Sequence, residues 1–416
     1  MGGNIYGAYL RSRTEESLLT AARADEATVR QARNLVRCPH VLTLTPFYPS
    51  VADRVQGCFV AEPLSWTERL GVSNQVIAVQ PFYRGRAEPT NSEISIVWKT
   101  YFSVPGNWGL PTAGVFLTAA LMGTLSEMHR REPFDLIHAH GALPCGHAAR
   151  LISKKLGIPF VVSVHGLDVF SVTQAEHAAP GWCKQISERV YRSARAVICV
   201  SERVRERLGG DLTRNTRVIY NGVDAEMFRP GPELRSPPTV LSVGNLIAIK
   251  GHTLLLRSFA RVLELVPECW LEIFGDGPER HNLIRLAHEL GISGRVQFRG
   301  RKSRETIAEA MRRCAVFALP SGYEGLGCVY LEAMASGKVA IGCQGQGIEE
   351  IIEHGKNGFL ISPENEVQLS DCLKILLENG ELRSRMGASA RSVVLQRYTL
   401  GHQAQRLTEV YWECAQ

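Results

Sequence analysis

The chain has 416 residues, 45% hydrophobic and 21% charged, which fits a globular protein of two domains or one very large one. Its net charge of +6 suits anionic small molecules or an anionic membrane surface. The lack of a dense Lys/Arg run with interleaved aromatics argues against nucleic acid. The longest uncharged apolar run, 113–122, is too short to span a membrane, and the N-terminus lacks a signal-like pattern, so a cytoplasmic location is expected.

In chain order, residues 1–38 read as an appended helical arm. From His40, short β-branched runs alternate with longer amphipathic ones. Residues 41–45, 75–79, 135–139, 160–164, 196–200 and 217–220 read as strands. Helices are expected at 114–131, 146–155, 182–193 and 202–208. Near-continuous apolar strands alternating with helices predict a parallel sheet covered on both faces. Four prolines within 228–238 mark a linker. The pattern then restarts, with strands at 239–243, 270–274, 295–298, 315–319, 339–343 and 359–361. A last helix near 402–414 has an apolar face that could return to the first unit. The predicted class is therefore α/β, with two doubly wound Rossmann-like domains facing a cleft. Ligands of such sheets bind at the carboxyl ends of the strands.

The run 319–337 carries Glu324 and Glu332, with Gly325 and Gly327 before an expected helix start. A strand, a glycine turn and a helix N-terminus make a place for phosphate. Lys250, in the loop after the strand ending at Gly244, could set an ammonium on a diphosphate. Gly275 and Gly277 form a glycine turn after another strand, which Asp276 braces or caps. In the first unit, His138, His140 and His165 follow strand ends. Their spacing lacks H-E-x-x-H and no Cys pair accompanies them, so no metal site is expected. His138 reads as buried, and His165 as placed for substrate. Gly57 is a candidate glycine for ligand approach. The 11 cysteines include no C-x-x-C pair and read as reduced core thiols. No P-loop and no G-x-G-x-x-G follows the first strand, which argues against a P-loop enzyme or an ordinary dehydrogenase.

Taken together, Ser163–Asp168, Val218–Phe228, Ser242 through Gly251, Phe274–Pro278 and the Glu324/Glu332 pair resemble the retaining glycosyltransferases of family 4. The resemblance covers about residues 40–416 and implies the GT-B architecture. It implies an acceptor-side domain at 39–230, a donor-binding domain at 231–399, and helix 400–416 packing back. Its finer likeness is to bacterial enzymes building surface polysaccharides. It also implies roles. Lys250 holds the diphosphate, Glu332 the ribose hydroxyls, and Glu324 and His165 the donor sugar. Backbone from Leu326 through Gly327 and Cys328 to Val329 cradles phosphate, and backbone from Gly300 through Arg301 to Lys302 reads the base. Gly57, Gly244, Gly275, Gly277 and Gly325 line the donor.

One departure stands out. Asn245 replaces the arginine common after the glycine equivalent to Gly244, and Arg301, Lys302 or Arg304 could supply that charge. No Asp-x-Asp motif appears, so no metal and no cofactor are expected beyond the sugar nucleotide, a UDP-sugar being favoured. Phosphorylases, epimerases and a weakly catalytic sugar-nucleotide binder share the architecture. The aromatic segment 98–120, with Phe102, Trp108, Leu110 and Phe116, reads either as core packing or as contact with a lipid-linked acceptor at the inner face of the plasma membrane.

Overall fold

The computed structural model describes residues 38–51, 53–84, 94–105, 107–166, 168, 180–231 and 237–416. The expected arm at 1–38 lies outside them except for Cys38. So do Leu167 and the linker centre, 232–236.

The first sheet is built on β1 (His40–Thr45), buried along its whole length. It pairs in parallel with β2 (Ser73–Pro81) and β4 (Leu136–His140). Outside these lie β3 (Ser95–Tyr101) at one edge and β5 (Phe160–Val164), β6 (Ala196–Cys199) and β7 (Thr216–Val218) towards the other. The order is β3-β2-β1-β4-β5-β6-β7. Parallel neighbours require crossovers, supplied by α1 (Cys58–Arg69), α2 (Leu110–Arg131), α3 (His147–Leu156), α4 (Pro180–Ser193) and α5 (Glu202–Leu208). Helix α2 starts before the expected residue 114. Pro111 sits in its first turn, where a missing N–H costs nothing. Strand β3 was not among the expected strands. It is a half-exposed edge strand, SIVWKTY, whose Lys99 and Thr100 break the apolar run.

The second sheet repeats the plan with β8 (Thr239–Val243), β9 (Trp270–Phe274), β10 (Val296–Gly300), β11 (Val316–Ala318), β12 (Val339–Cys343) and β13 (Gly358–Ile361), ordered β10-β9-β8-β11-β12-β13. Its helices are α6 (His252–Leu263), α7 (Arg280–Glu289), α8 (Arg304–Arg313), α9 (Cys328–Ala335), α10 (Glu366–Glu378) and α11 (Gly380–Arg397). Finally α12 (Leu400–Cys414) returns to the first sheet, where Leu407, Val410 and Tyr411 pack with Val41, Leu136 and Ile198. One apolar cluster runs from Leu44 and Val164 in the first half to Leu326 and Ile348 in the second. Among the described residues, no helix is long and apolar enough to cross a membrane.

In both sheets the order in which strands are added reverses at the centre, between β1 and β4 and between β8 and β11. The crevice at a doubly wound sheet's carboxyl ends lies at that switch point. This picks out the loops after β1, β4, β8 and β11. Lys250 follows β8, and Glu324 follows β11.

Candidate active site

The loops after β8 and β11 are pressed together. Gly251, at φ 71°, precedes α6, and a Cβ there would stand 2.0 Å from the Pro320 carbonyl oxygen. That contact leaves Lys250 Nζ paired with Glu324 Oε1, the side chains only 20% and 11% exposed. Ser321 Oγ donates to the same carboxylate oxygen at 3.2 Å. The Glu324 N–H donates to Gln346 Oε1 at 3.0 Å, and Gln346 Nε2 donates to the Gly322 carbonyl at 2.9 Å. The Glu324 loop is thus braced from both sides.

Three residues on, Gly327 (φ 82°) turns the chain into α9. Gly325 and Leu326 are buried, while Gly327, Cys328 and Val329 are half-buried. The first N–H groups of a helix point outward and carry its positive dipole end. Glu332 stands one turn further along α9. Its Oε1 lies 2.6 Å from Arg304 Nη1. That guanidinium also grips Glu62 of α1, with Nε to Oε1 at 2.7 Å and Nη2 to Oε2 at 3.1 Å. Burial pushes the Glu62 carboxyl up to about 7, against the lowering effect of Arg304. The expected ribose glutamate is therefore held by an arginine that reaches across to the first half. Glu62 was missed in the sequence. Its one visible signal is an acid within the largely apolar start of α1, CFVAEPL.

In the first half, His138 is 1% exposed and fully engaged, with Nδ1 2.7 Å from the Tyr411 hydroxyl and Nε2 2.7 Å from Ser163 Oγ. Burial pulls it down to about 3. His165 is packed edge-on against Phe59, ring centroids 4.7 Å apart. Asp168 Oδ1 accepts the backbone N–H groups of His165 and Gly166, both at 2.8 Å, and shapes the turn after β5. Among the described residues, no group of three His, Cys, Asp or Glu is arranged to hold a metal ion.

The halves meet at this turn. A Cβ on Gly325 would stand 2.2 Å from the His165 carbonyl oxygen. Ser201 Oγ donates to the Gly325 carbonyl at 2.6 Å. Glu350 accepts the N–H groups of Glu202 and Arg203, at 2.9 and 2.8 Å, and the Tyr220 hydroxyl at 2.8 Å. Its charge sits on the first turn of α5, where a helix favours an anion. Neither Ser201 nor Glu350 was singled out from sequence. Arg301 bridges the halves as well. Its Nη1 pairs with Asp53, and its Nη2 stands 3.4 Å from Asn245 Oδ1. A guanidinium therefore lies beside the asparagine that replaces the usual arginine. Lys302 is exposed, and Gly300 carries a φ of 66°.

Three glycines assigned to the donor have a backbone reason to be glycine. Added Cβ atoms would come within 1.9 Å of the Gly244 oxygen at Gly275 and 2.5 Å of the Leu246 oxygen at Gly277. At Gly57 the distance would be 2.4 Å from the Phe47 carbonyl carbon. Gly244 has ordinary room, its nearest neighbour at 3.6 Å. Asp276 braces its own turn by accepting the Gly277 N–H at 2.8 Å.

For the aromatic segment, core packing fails for three of the four residues. Phe102, Phe116 and Trp108 are exposed, Trp108 at 70%, and Leu110 is half-buried. Phe102 stacks on exposed Phe82 at 5.6 Å and meets Phe116 edge-on at 5.1 Å.

Residues 67–227 match the family described as Glycosyltransferase Family 4, and residues 224–393 match Glycosyl transferases group 1. The D-inositol 3-phosphate glycosyltransferase of Stackebrandtia nassauensis is 30% identical over 309 residues, 68% of this chain and 69% of that protein. The sucrose-phosphate synthase of Thermosynechococcus elongatus shares the fold at a TM-score of 0.76 and 19% identity, over 91% of this chain and 99% of that one. HepE of Anabaena, solved with UDP-glucose, does so at 0.69 and 21% identity, over 90% and 99%. The two matched spans meet between the two sheets, and the chain belongs to the family 4 glycosyltransferases, built on two doubly wound parallel sheets in the GT-B manner.

Proposed function

We propose that this chain moves a sugar from a nucleoside-diphosphate sugar, a UDP-sugar being favoured, to a hydroxyl of a carbohydrate or lipid-linked acceptor in polysaccharide assembly. Transfer proceeds with retention of anomeric configuration and without a metal. The observation that carries this reading is Lys250 against Glu324 at the second switch point, one loop away from the N-terminus of α9. The neighbour solved with UDP-glucose supports the donor class.

The bond between the anomeric carbon and the diphosphate breaks through an oxocarbenium-like state. Negative charge grows on the leaving phosphate oxygen. Lys250, the first N–H groups of α9 and the Arg301 guanidinium are the fixed positive groups available to it. The acceptor hydroxyl attacks the same face of the sugar, and its proton passes to the departing phosphate oxygen. The products are a glycoside and a free nucleoside diphosphate. Glu324 and His165 hold the donor sugar, and Glu332 takes the ribose hydroxyls once Arg304 yields it.

A thermal-shift series with UDP-, GDP- and ADP-sugars tests the donor. A ligand at a hundredfold excess over its Kd stabilises by about 2.7 kcal/mol. One base class is expected to raise Tm, UDP first. No shift with any of the three would remove the donor reading.

The acceptor is assigned to the first half, beside Phe82, Phe102, Trp108 and Phe116. Between Ile94 and Ser126 the chain carries one charged residue, Lys99, and no carboxylate. Exposed aromatics on a stretch of chain without a carboxylate suit the headgroup region of a bilayer. Co-sedimentation with vesicles containing anionic lipid is expected to pellet the protein, and Trp108→Ser with Phe102→Ser is expected to abolish this. Equal pelleting of the double variant would take the membrane away from this surface.

A further inference from the structure

His140, the last residue of β4, is 6% exposed, and its ring lies 8° from parallel with that of His165. Its Nδ1 stands 3.0 Å from His165 Nε2. Burial pulls both imidazoles below their ordinary range, with Asp168 opposing this at His165. Both rings are therefore neutral near pH 7. Two facing nitrogens of neutral imidazoles share one proton, so one donates and the other accepts.

The outer nitrogens are then fixed as well. His140 Nε2 and His165 Nδ1 are buried and meet no hydrogen-bond partner among the described residues. One of them must carry an N–H, and the other a bare lone pair. His138 offers no relief, since Tyr411 and Ser163 take both its nitrogens. His140 and His165 both border one small space, lined by Phe59, Pro63, Leu64 and Leu407 and also by Asn221 and Gln403. A buried N–H left without an acceptor is rarer than a buried acceptor left without a donor. A sugar oxygen facing His165 supplies that acceptor at Nδ1, which puts the outer N–H on His165 Nδ1 and the bare lone pair on His140 Nε2.

We infer that His140 donates from Nδ1 to His165 Nε2 and so holds His165 as its Nδ1–H tautomer, a hydrogen-bond donor to an oxygen of the bound sugar. His140 is a positioning residue, acting through His165. The inference rests on the reading that His165 faces the donor sugar.

The test is imidazole ¹⁵N NMR on the full chain, with kinetics on the same preparations. In the wild type, His165 is expected as the Nδ1–H form. In His140→Phe, which keeps a flat ring without nitrogens, the Nε2–H form is expected to appear. With it, kcat should fall roughly tenfold to a hundredfold, the scale of a misplaced contact. The donor KM should rise as well, by about tenfold at most, since the contact to the bound sugar is lost in the ground state too. His140→Asn, whose amide can donate near the Nδ1 position, is expected to recover most of kcat and the wild-type tautomer. An Nε2–H His165 in the wild type, or an unchanged tautomer in folded His140→Phe, overturns the inference. A changed tautomer with wild-type kcat would uphold the tautomer assignment and overturn the placement of His165 at the sugar.

Discussion

Lys250→Met is expected to lower kcat by about 10²–10³-fold, the usual loss when one fixed donor to a developing oxyanion is removed. The lysine pairs directly with Glu324, and its ammonium is already drawn in by that carboxylate. Methionine keeps the length and apolar stem and removes only the charge. The substitution also strands a carboxylate that is 9% exposed as a residue, so some loss of Tm accompanies it. Lys250→Arg separates the two effects. It keeps a cation for Glu324 and should restore Tm, but a planar guanidinium does not reproduce the position of a compact ammonium. Turnover in Lys250→Arg therefore stays well below wild type. Full activity in Lys250→Met would take the lysine out of the chemistry.

Gly325→Ala should be nearly as damaging for a different reason. Its backbone is not in the left-handed region, so alanine brings no conformational strain. The added methyl meets the His165 carbonyl oxygen at 2.2 Å and Gly166 Cα at 3.2 Å, both rigid backbone. The two halves must therefore part at the place where His165 and Glu324 converge. A misplacement of about 1 Å can cost on the order of a hundredfold in rate. Gly322→Ala is the matched control in the same loop, since its nearest neighbour lies at 3.7 Å. We expect kcat to fall about a hundredfold in Gly325→Ala and to change less than about twofold in Gly322→Ala. Equal effects would mean that the close approach of the halves is not needed for turnover.

The two substitutions mark what the sequence makes legible. Strands such as β5 and β8 are short apolar runs with turn signals at both ends, and their limits read directly from the chain. Strand β3 did not, because an edge strand with one face half-exposed loses the apolar continuity that marks its neighbours. Lys250 and Glu324 stand out because a glycine turn follows each strand, although 74 residues separate them. Glu62, Ser201 and Glu350 do not stand out. Their roles come from partners 242, 124 and 148 residues away, and no local pattern encodes such a pairing. The glycines carry a second, structural reason for their identity. Gly57, Gly275 and Gly277 each have another backbone segment lying against them, which by itself requires glycine there. Phe102 and Trp108 read first as core packing yet are exposed, because composition alone does not say which face of a segment is covered.

The cation pairings also bear on how the site works. Both glutamates of the Glu324/Glu332 pair are held by a cation, one by Lys250 and the other by Arg304. A nucleotide that takes Lys250 with its phosphates and Glu332 with its ribose exchanges both partners at once. Arg304 also binds Glu62 of the first half, so the Glu332 pairing and the fit between the halves share one residue.

On the proposed reading, the diphosphate of the donor rests on Lys250. Calorimetric titration of wild type and Lys250→Met, with a nucleoside diphosphate and with its parent nucleoside, tests it most directly. UDP and uridine are the first pair to use. Lys250→Met is expected to weaken UDP by about tenfold to a hundredfold, the worth of one hydrogen bond to a charged group, and to leave uridine unchanged. Equal UDP affinity in the two proteins, or an equal loss for UDP and uridine, would contradict it.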